Sequence, residues 1–323
     1  MANNNALPEG VYAQVDELLH LRYQVKDLTL ETRRQSQALM GGAVRTRYRG
    51  RGMEFAEVRP YQPGDDIRTI DWRVTARVQS PYTKLFQEER ERPVFVVVDQ
   101  RSPMFFGSSH VFKSVFAAKL ASIIAWIASA NNDRIGALVF GDNQQKDTRA
   151  RRGKHAVLDL LNQLHAFNQQ LQSPIKPDEC ISLEAMLTEA SRVARPGSLV
   201  ILLSDFHDLD NTCREPLNML SKRSDVMAVH IYDQFEQHLP NLKQFTISNG
   251  QQRLNVDVHK LASGFSSAFL ARQQQLQKSC VNSGVQYVHA PINQNFDFFV
   301  RDLFNPRAGT RPKIQTQGLD KNG

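Results

Sequence analysis

Residues Val94–Asp99 read VFVVVD, five apolar residues closed by an acid, and they decide the fold. A run that is apolar at every position, rather than at every second one, is expected of a strand buried on both faces. The pattern returns at Ile135–Phe140 and at 199–203 ahead of Asp205, and 226–231 and 285–288 read as further strands. Helical stretches separate these runs. Phe112, Val115, Phe116, Leu120, Ile123, Ile124 and Ile127 fall on one stripe, and Val157, Leu158, Leu160, Leu161 and Leu164 on another. Residues 183–193 form a further helix stopped by Pro196 and Gly197, and 214–220 and 261–280 complete the set. Such alternation predicts an α/β fold: a doubly wound, mostly parallel, Rossmann-like sheet with helices on both faces.

Upstream, Val11, Val15, Leu18, Leu19 and Arg22 share one side of an opening helix. After Gly41 and Gly42 the chain reads as extended and charge-rich over 43–89, with a last strand at 82–89. Its centre is 59–77, RPYQPGDDIRTIDWRVTAR. Pro63 fixes φ at the second position of a turn and Gly64 tolerates positive φ at the third, so Asp65 and Asp66 are presented together. Ile70, Trp72, Val74 and Ala76 then alternate with Asp71, Arg73, Thr75 and Arg77, which predicts a half-buried strand. Asp65, Asp66, Arg68, Asp71, Arg73 and Arg77 are expected to form an ion-pair web, making the segment a brace between the Arg-rich N-terminal region and the domain that begins at Val94. Direct ligand binding is the alternative. Trp72 and Trp126 read as core residues.

Downstream, a polar stretch carries Arg149, Arg151 and Arg152. Residues 245–247, then Ser248-Asn249-Gly250, then 253–258 signal a β-hairpin inserted as an arm, since Asn-Gly suits a two-residue hairpin turn. Residues 296–304 fit a short helix, and the polar, basic stretch 307–323 reads as disordered. The expected organisation is 1–90 (helix plus extended segment), 91–290 (α/β domain) and 291–323 (short helix and tail).

The chain has 323 residues, 41% of them hydrophobic, enough for a sizeable core. Its formal charge of +7 is concentrated at 33–51 and after Phe304, which suits an acidic protein, an anionic membrane surface contacted peripherally, or nucleic acid. Arg45, Arg47, Arg49 and Arg51 lie two apart and would project to one side of an extended chain. The basic run interleaves a single aromatic, Tyr48, which argues against sequence-specific recognition of a single strand and leaves nucleic acid an unfavoured partner. Cys180, Cys213 and Cys280 are odd in number and widely spaced, indicating a reducing compartment rather than a disulfide framework or zinc site. Residues 1–10 lack the basic start and apolar run of a signal peptide. The most apolar stretch, 112–130, carries Lys113 and Lys119 and reads as a core helix, not a membrane span. A soluble cytoplasmic protein is expected.

Asp99 and Asp205 both stand at carboxyl ends of strands, where open α/β sheets bind ligands. With a third oxygen from Ser102 they could hold magnesium or manganese. Here the chain resembles a von Willebrand factor A domain, whose metal-ion-dependent adhesion site uses DxSxS after the first strand, a later threonine and a further aspartate. Over about 43–289 it is still more similar to the domain-of-unknown-function 58 family, on the strength of PGDDIRTIDW. Arg59, Tyr61, Pro63, Gly64, Asp65, Asp66, Arg68, Asp71, Trp72 and Arg77 carry that motif.

The resemblance implies a bacterial, von Willebrand A-like protein-binding module associated with MoxR-type AAA+ ATPases, chaperone-like in role. It also implies a degenerate adhesion site. DQRSP stands where DxSxS is expected, so Arg101 and Pro103 replace the two serines. The threonine position falls near Ile181 and Ser182, and Asp205 fits the late aspartate. A guanidinium cannot shed its charge, so Arg101 is expected to pair with Asp99 or Asp205 in place of a metal and to grip an acidic partner side chain. No cofactor is expected.

Asp205, His207, Asp208 and Asp210 suggest a hydrolytic metal centre only weakly, because neighbours on one loop point apart; helix capping by Asp208 or Asp210 fits better. No phosphate-binding Gly-rich loop, GxSxG elbow or HExxH helix occurs, so the reading is non-enzymatic.

Overall fold

The computed structural model describes residues 10–30, 53–88, 93–170, 180–239, 244–248 and 253–304. Two compact units emerge: Ser36–Glu91, and Met1–Gln35 together with Arg92–Gly323. The opening helix α1 (Val15–His20) therefore belongs with the α/β unit and not with the charge-rich segment. Trp126, a core residue as expected at 7% exposure, donates its indole N–H to Leu18 O at 3.2 Å; Ala13 N donates to the buried Asn168 at 2.7 Å.

In the smaller unit, β1 (Met53–Pro60) pairs antiparallel with β2 (Tyr82–Glu88). The Pro-Gly turn forms as expected: Asp65 N donates to Gln62 O at 3.0 Å and Gly64 has φ +105°. The expected strand beyond it does not form. Residues Trp72–Val78 are helix α2, because the Asp71 carboxylate accepts from the backbone N–H of Arg73 and Val74 and so caps a helix start. Eight residues of alternation are too few to outweigh that cap. Trp72 is 68% exposed, so it is not a core residue.

Among the described residues, the segment shows two ion pairs, Arg59–Asp65 at 2.7 Å and Lys84–Asp71 at 3.5 Å. Asp65 also accepts from Gln62 N, Asp66 caps a 3-10 turn through Arg68 N, and the Tyr61 hydroxyl reaches Asp65 O at 3.4 Å. Among the described residues, Arg68, Arg73 and Arg77 are exposed and make no ion pair. Short carboxylates beside turns readily accept from backbone N–H groups in this way.

The larger unit is built on β3 (Val94–Asp99), α3 (Lys113–Ala130), β4 (Ile135–Phe140), β5 (Gln145–Arg151), α4 (Lys154–Gln170), α5 (Leu183–Val193), β6 (Leu199–Ser204), α6 (Arg214–Arg223), β7 (Asp225–Tyr232) and α7 (Gln234–Gln237). A separate antiparallel pair follows, β8 (Gln244–Ser248) with β9 (Arg253–Asp257), then α8 (Val258–Asn282), β10 (Gln286–Pro291) and α9 (Phe296–Phe304). The strand order is β10-β7-β6-β3-β4-β5, parallel except for β5. The edge strand β5 occupies what the sequence presents as a polar stretch; its side chains are mostly exposed, so it carries no apolar signal. The hairpin strands form as expected, while Asn249 and Gly250 lie outside the described residues, as do Arg45, Arg47, Arg49, Arg51 and the tail.

Side chains of β3 alternate between two cores. Val94, Val96 and Val98 face α1, α3, α4 and α9, while Phe95 and Val97 face α5 and α6. Helix α3 is long and apolar enough to cross a membrane, but fifteen of its eighteen residues are buried in the protein. A helix buried all round needs no amphipathic stripe.

Candidate functional site at the strand ends

Strand order reverses at β3, which is paired in parallel with β4 on one side and β6 on the other, so the loops after β3 and β6 open a crevice there. Asp99 ends β3 with no exposure, and Ser204 ends β6. The Ser204 hydroxyl donates to Asp99 Oδ2 at 2.6 Å and accepts from Phe206 N at 3.0 Å. Phe206 itself has φ +50°, an uncommon conformation for a bulky buried residue, held by this tight turn.

Arg101 is 3% exposed and fills the crevice. Its Nε and Nη2 donate to the two Asp99 oxygens at 3.1 and 2.9 Å, its Nη1 and Nη2 donate to the two Asp208 oxygens at 2.7 and 2.9 Å, and Nη1 also donates to Ile181 O at 3.0 Å. A guanidinium has five N–H donors, and all five are used. Burial alone would lower its pKa, but Asp99 and Asp208 outweigh burial and hold it above the ordinary arginine value. Arg101 thus pairs with Asp99 as expected, but its second partner is Asp208, not Asp205. It is also saturated inside the protein and has no donor left for a partner's carboxylate.

Asp205, 6% exposed, pairs with Lys113, which in the sequence stands out only as a charge in an apolar helix. Lys113 Nζ, 1% exposed, donates to Asp205 Oδ2 at 2.9 Å and to Glu236 Oε1 at 2.6 Å. Burial pulls the ammonium pKa down, and the two carboxylates more than offset it, raising the value above that of free lysine. Asp205 is well below the usual carboxylate range: desolvation opposes this, while Lys113 and His207 prevail. His207 joins the two ion-pair groups, its Nδ1 standing 3.0 Å from Asp205 and 3.6 Å from Asp208. Its pKa is raised, because the neighbouring carboxylates outweigh burial and the repulsion of Arg101.

Ser102 does not join Asp99 and Asp205. Its N–H and hydroxyl donate to Asp142 at 2.9 and 2.6 Å, after β4. Asp142 and, after β7, Asp233 each serve as anchors; Asp233 accepts from Ser108 N, Ser108 Oγ and Phe235 N. Asp210 caps a 3-10 turn through Thr212 N, and Ser182 caps α5 through Ala185 N, while Asp208 accepts from Leu183 N. As placed, Asp99, Ser102 and Asp205 do not fit a hard cation, which needs several oxygens converging on one point. Among the described residues, no three His, Cys, Asp or Glu side chains converge for a metal.

Beside this network, a cavity of about 270 Å³ is lined by Asp205, His207, His230, Glu236, Phe265, Ala268, Phe269, Arg272 and Gln273. A larger open depression of about 390 Å³ lies along α6, bounded by Asn211, Arg214, Glu215, Asn218, Met219 and Lys222. It lies on the exposed side of one helix and involves none of the strand-end groups, so the cavity beside Asp205 is the candidate site.

A doubly wound sheet with one antiparallel edge strand, and with its aspartates gathered at the carboxyl ends of the strands, is von Willebrand factor A-like. The chain belongs to the family described as "Protein of unknown function DUF58", whose model matches residues 57–278. Uncharacterized proteins of Mycobacterium bovis and Mycobacterium tuberculosis are 29% identical to it over 202 residues, 62% of this chain and 62% of theirs. The chain thus spans about 62% of the length of these relatives. The uncharacterized protein YeaD of Bacillus subtilis is 36% identical over 81 residues, 25% of this chain and 20% of YeaD.

Among solved structures, an aerotolerance-related membrane protein of Bacteroides fragilis has a TM-score of 0.41 at 12% identity, covering 66% of this chain and 96% of that one. BatB from Bacteroides thetaiotaomicron has 0.38 at 13%, covering 65% and 96%, and a von Willebrand factor type A protein from Catenulispora acidiphila 0.31 at 11%, covering 47% and 35%.

Proposed function

We propose that this chain is a non-enzymatic, von Willebrand A-like interaction module that works in the cytoplasm as partner or adaptor of a MoxR-type AAA+ ATPase, in a chaperone-like maturation of a protein complex. One observation carries the interaction reading: Arg101 and Lys113 sit as built-in cations among the strand-end carboxylates, each making at least two charge-assisted bonds. A face locked in this way is a rigid docking platform, with its carboxylates tied up rather than poised as general bases. The ATPase as partner rests on the family resemblance carried by PGDDIRTIDW.

Arg101 does not grip the partner in this scheme; it holds the loops in place. Contact falls to groups that reach the surface of the same face, His207, Glu236 and Phe265. The test is co-elution of the purified chain with a MoxR-type ATPase of its own organism, with and without nucleotide. A stable complex is expected, and separate elution at micromolar concentrations in every nucleotide state would reject the partner.

A further inference from the structure

Among the described side chains of the smaller unit, 58–84, Thr83 is buried and no apolar one is. Three large apolar residues stand in solvent instead: Ile67 at 65% exposure, Trp72 at 68% and Val78 at 47%. A two-stranded hairpin is marginal in water by itself, and tryptophan is a residue type highly buried on average, so this surface calls for a cover.

The helix orders these exposed groups. At about 3.6 residues per turn, Trp72 and Ala76 share one face of α2 and Arg73 and Arg77 the face beside it, and all four are exposed. Val74 and Thr75 are half-buried on the other side, where Thr75 Oγ1 accepts from Tyr82 N of β2 at 3.0 Å. The 3-10 turn ahead of the helix adds exposed Ile67 and Arg68. Arg68, Arg73 and Arg77 make no ion pair among the described residues, whereas Asp65 is paired with Arg59 and Asp71 with Lys84. Even with the charge of Asp66 counted, three guanidiniums leave the face positive. Exposed tryptophan among arginines is the composition of an interface hot spot.

We propose that the exposed face of α2 and the turn ahead of it docks an acidic, apolar-bearing segment of a partner protein, with Trp72 and Ile67 against its apolar side chains and Arg68, Arg73 and Arg77 toward its carboxylates. A second copy of the chain is disfavoured as the occupant by its own charge of +7. A phosphate surface, of lipid or of nucleic acid, suits the face less well, because Asp66 and Asp71 are interspersed with the arginines and would meet a continuous array of negative charge. A protein segment can set discrete carboxylates opposite the arginines and apolar groups opposite Trp72. This surface belongs to the smaller unit and the strand-end crevice to the larger, so the inference adds a contact to the interaction-module reading and does not depend on the ATPase.

The test uses the full chain and three short peptides: one of glutamate, leucine and phenylalanine, one with lysine in place of each glutamate, and one with serine in place of each apolar residue. Binding is read by the anisotropy of fluorescein-labelled peptide and, with unlabelled peptide, by the emission of exposed Trp72 against that of buried Trp126. The acidic apolar peptide is expected to bind at least tenfold more tightly than either control, to shift Trp72 emission to the blue, and to weaken as salt rises. Trp72→Ala should weaken it fivefold or more, and so should Arg73→Gln combined with Arg77→Gln. These side chains are exposed, so their replacement leaves the internal contacts of the unit in place. No binding up to millimolar peptide, equal binding of a control peptide, unchanged affinity in either variant, or tighter binding of phosphatidylglycerol vesicles or single-stranded DNA than of the acidic peptide would overturn the proposal. Failure here with the ATPase complex intact removes this surface alone.

Discussion

Replacing Arg101 with methionine tests how the strand ends are held. The substitution removes five hydrogen bonds and strands Asp99, which has no solvent exposure, while Asp208, whose side chain is 28% exposed, can rehydrate. Breaking a buried ion pair from one side costs about 3–5 kcal/mol, because an uncompensated charge is left inside. The destabilisation should therefore be about 3–5 kcal/mol at pH 7. Adding Asp99→Asn removes the stranded charge and should recover about 2 kcal/mol. Urea unfolding followed by fluorescence of the buried Trp126 reads both effects. A loss below about 1 kcal/mol, or a double variant no more stable than the single one, would show that Arg101 does not hold the strand ends by compensating Asp99.

The two histidines near the cavity should shape stability on opposite sides of pH 6.5. His207 is raised in the fold, so its contribution is complete below about 6.5 and is lost as pH rises through its folded value; His207→Gln should flatten that alkaline decline. Burial lowers His230 to about 3, so its contribution is present above about 6.5 and is lost as pH falls from there toward 3, by about 1.4 kcal/mol per unit. His230→Phe should flatten the acid side, and an unchanged profile between pH 6.5 and 4 would count against it. Loss of the Asp71 cap in Asp71→Ala should cost the smaller unit about 1 kcal/mol, whereas exposed Trp72→Ala should stay within about 0.5 kcal/mol, both read by urea unfolding. Calorimetry with magnesium or manganese at millimolar concentration should show no saturable binding; a fitted one-to-one isotherm would overturn the assignment of Arg101 and Lys113 as the resident cations.

The sheet was legible because strands buried on both faces leave a signature no surface segment imitates: VFVVVD and its repeats read as they fold. Strand β5 was not legible, since an exposed edge strand such as QKDTRAR obeys no hydrophobic rule. Helix α2 was misread because Asp71 acts through a backbone cap, a local signal hidden by fortuitous alternation. At the site, Asp99 and Arg101 were visible from their place at the end of a strand. The pairing of Asp208 with Arg101 was not, nor was Glu236, because these meet Arg101 and Lys113 only across 107 and 123 residues of sequence. A clue did exist for Lys113: a lysine opening a helix as apolar as α3 must be paired if it is buried.

Docking of a AAA+ ATPase on the proposed strand-end face is read by the affinity of a MoxR-type ATPase from the same organism for the wild-type chain and for Phe265→Asp, by biolayer interferometry, with both proteins checked for equal thermal stability. A complex with the wild type and at least tenfold weaker binding to the variant are expected. Equal affinity for the two, or no binding to either, would rule out docking at this face.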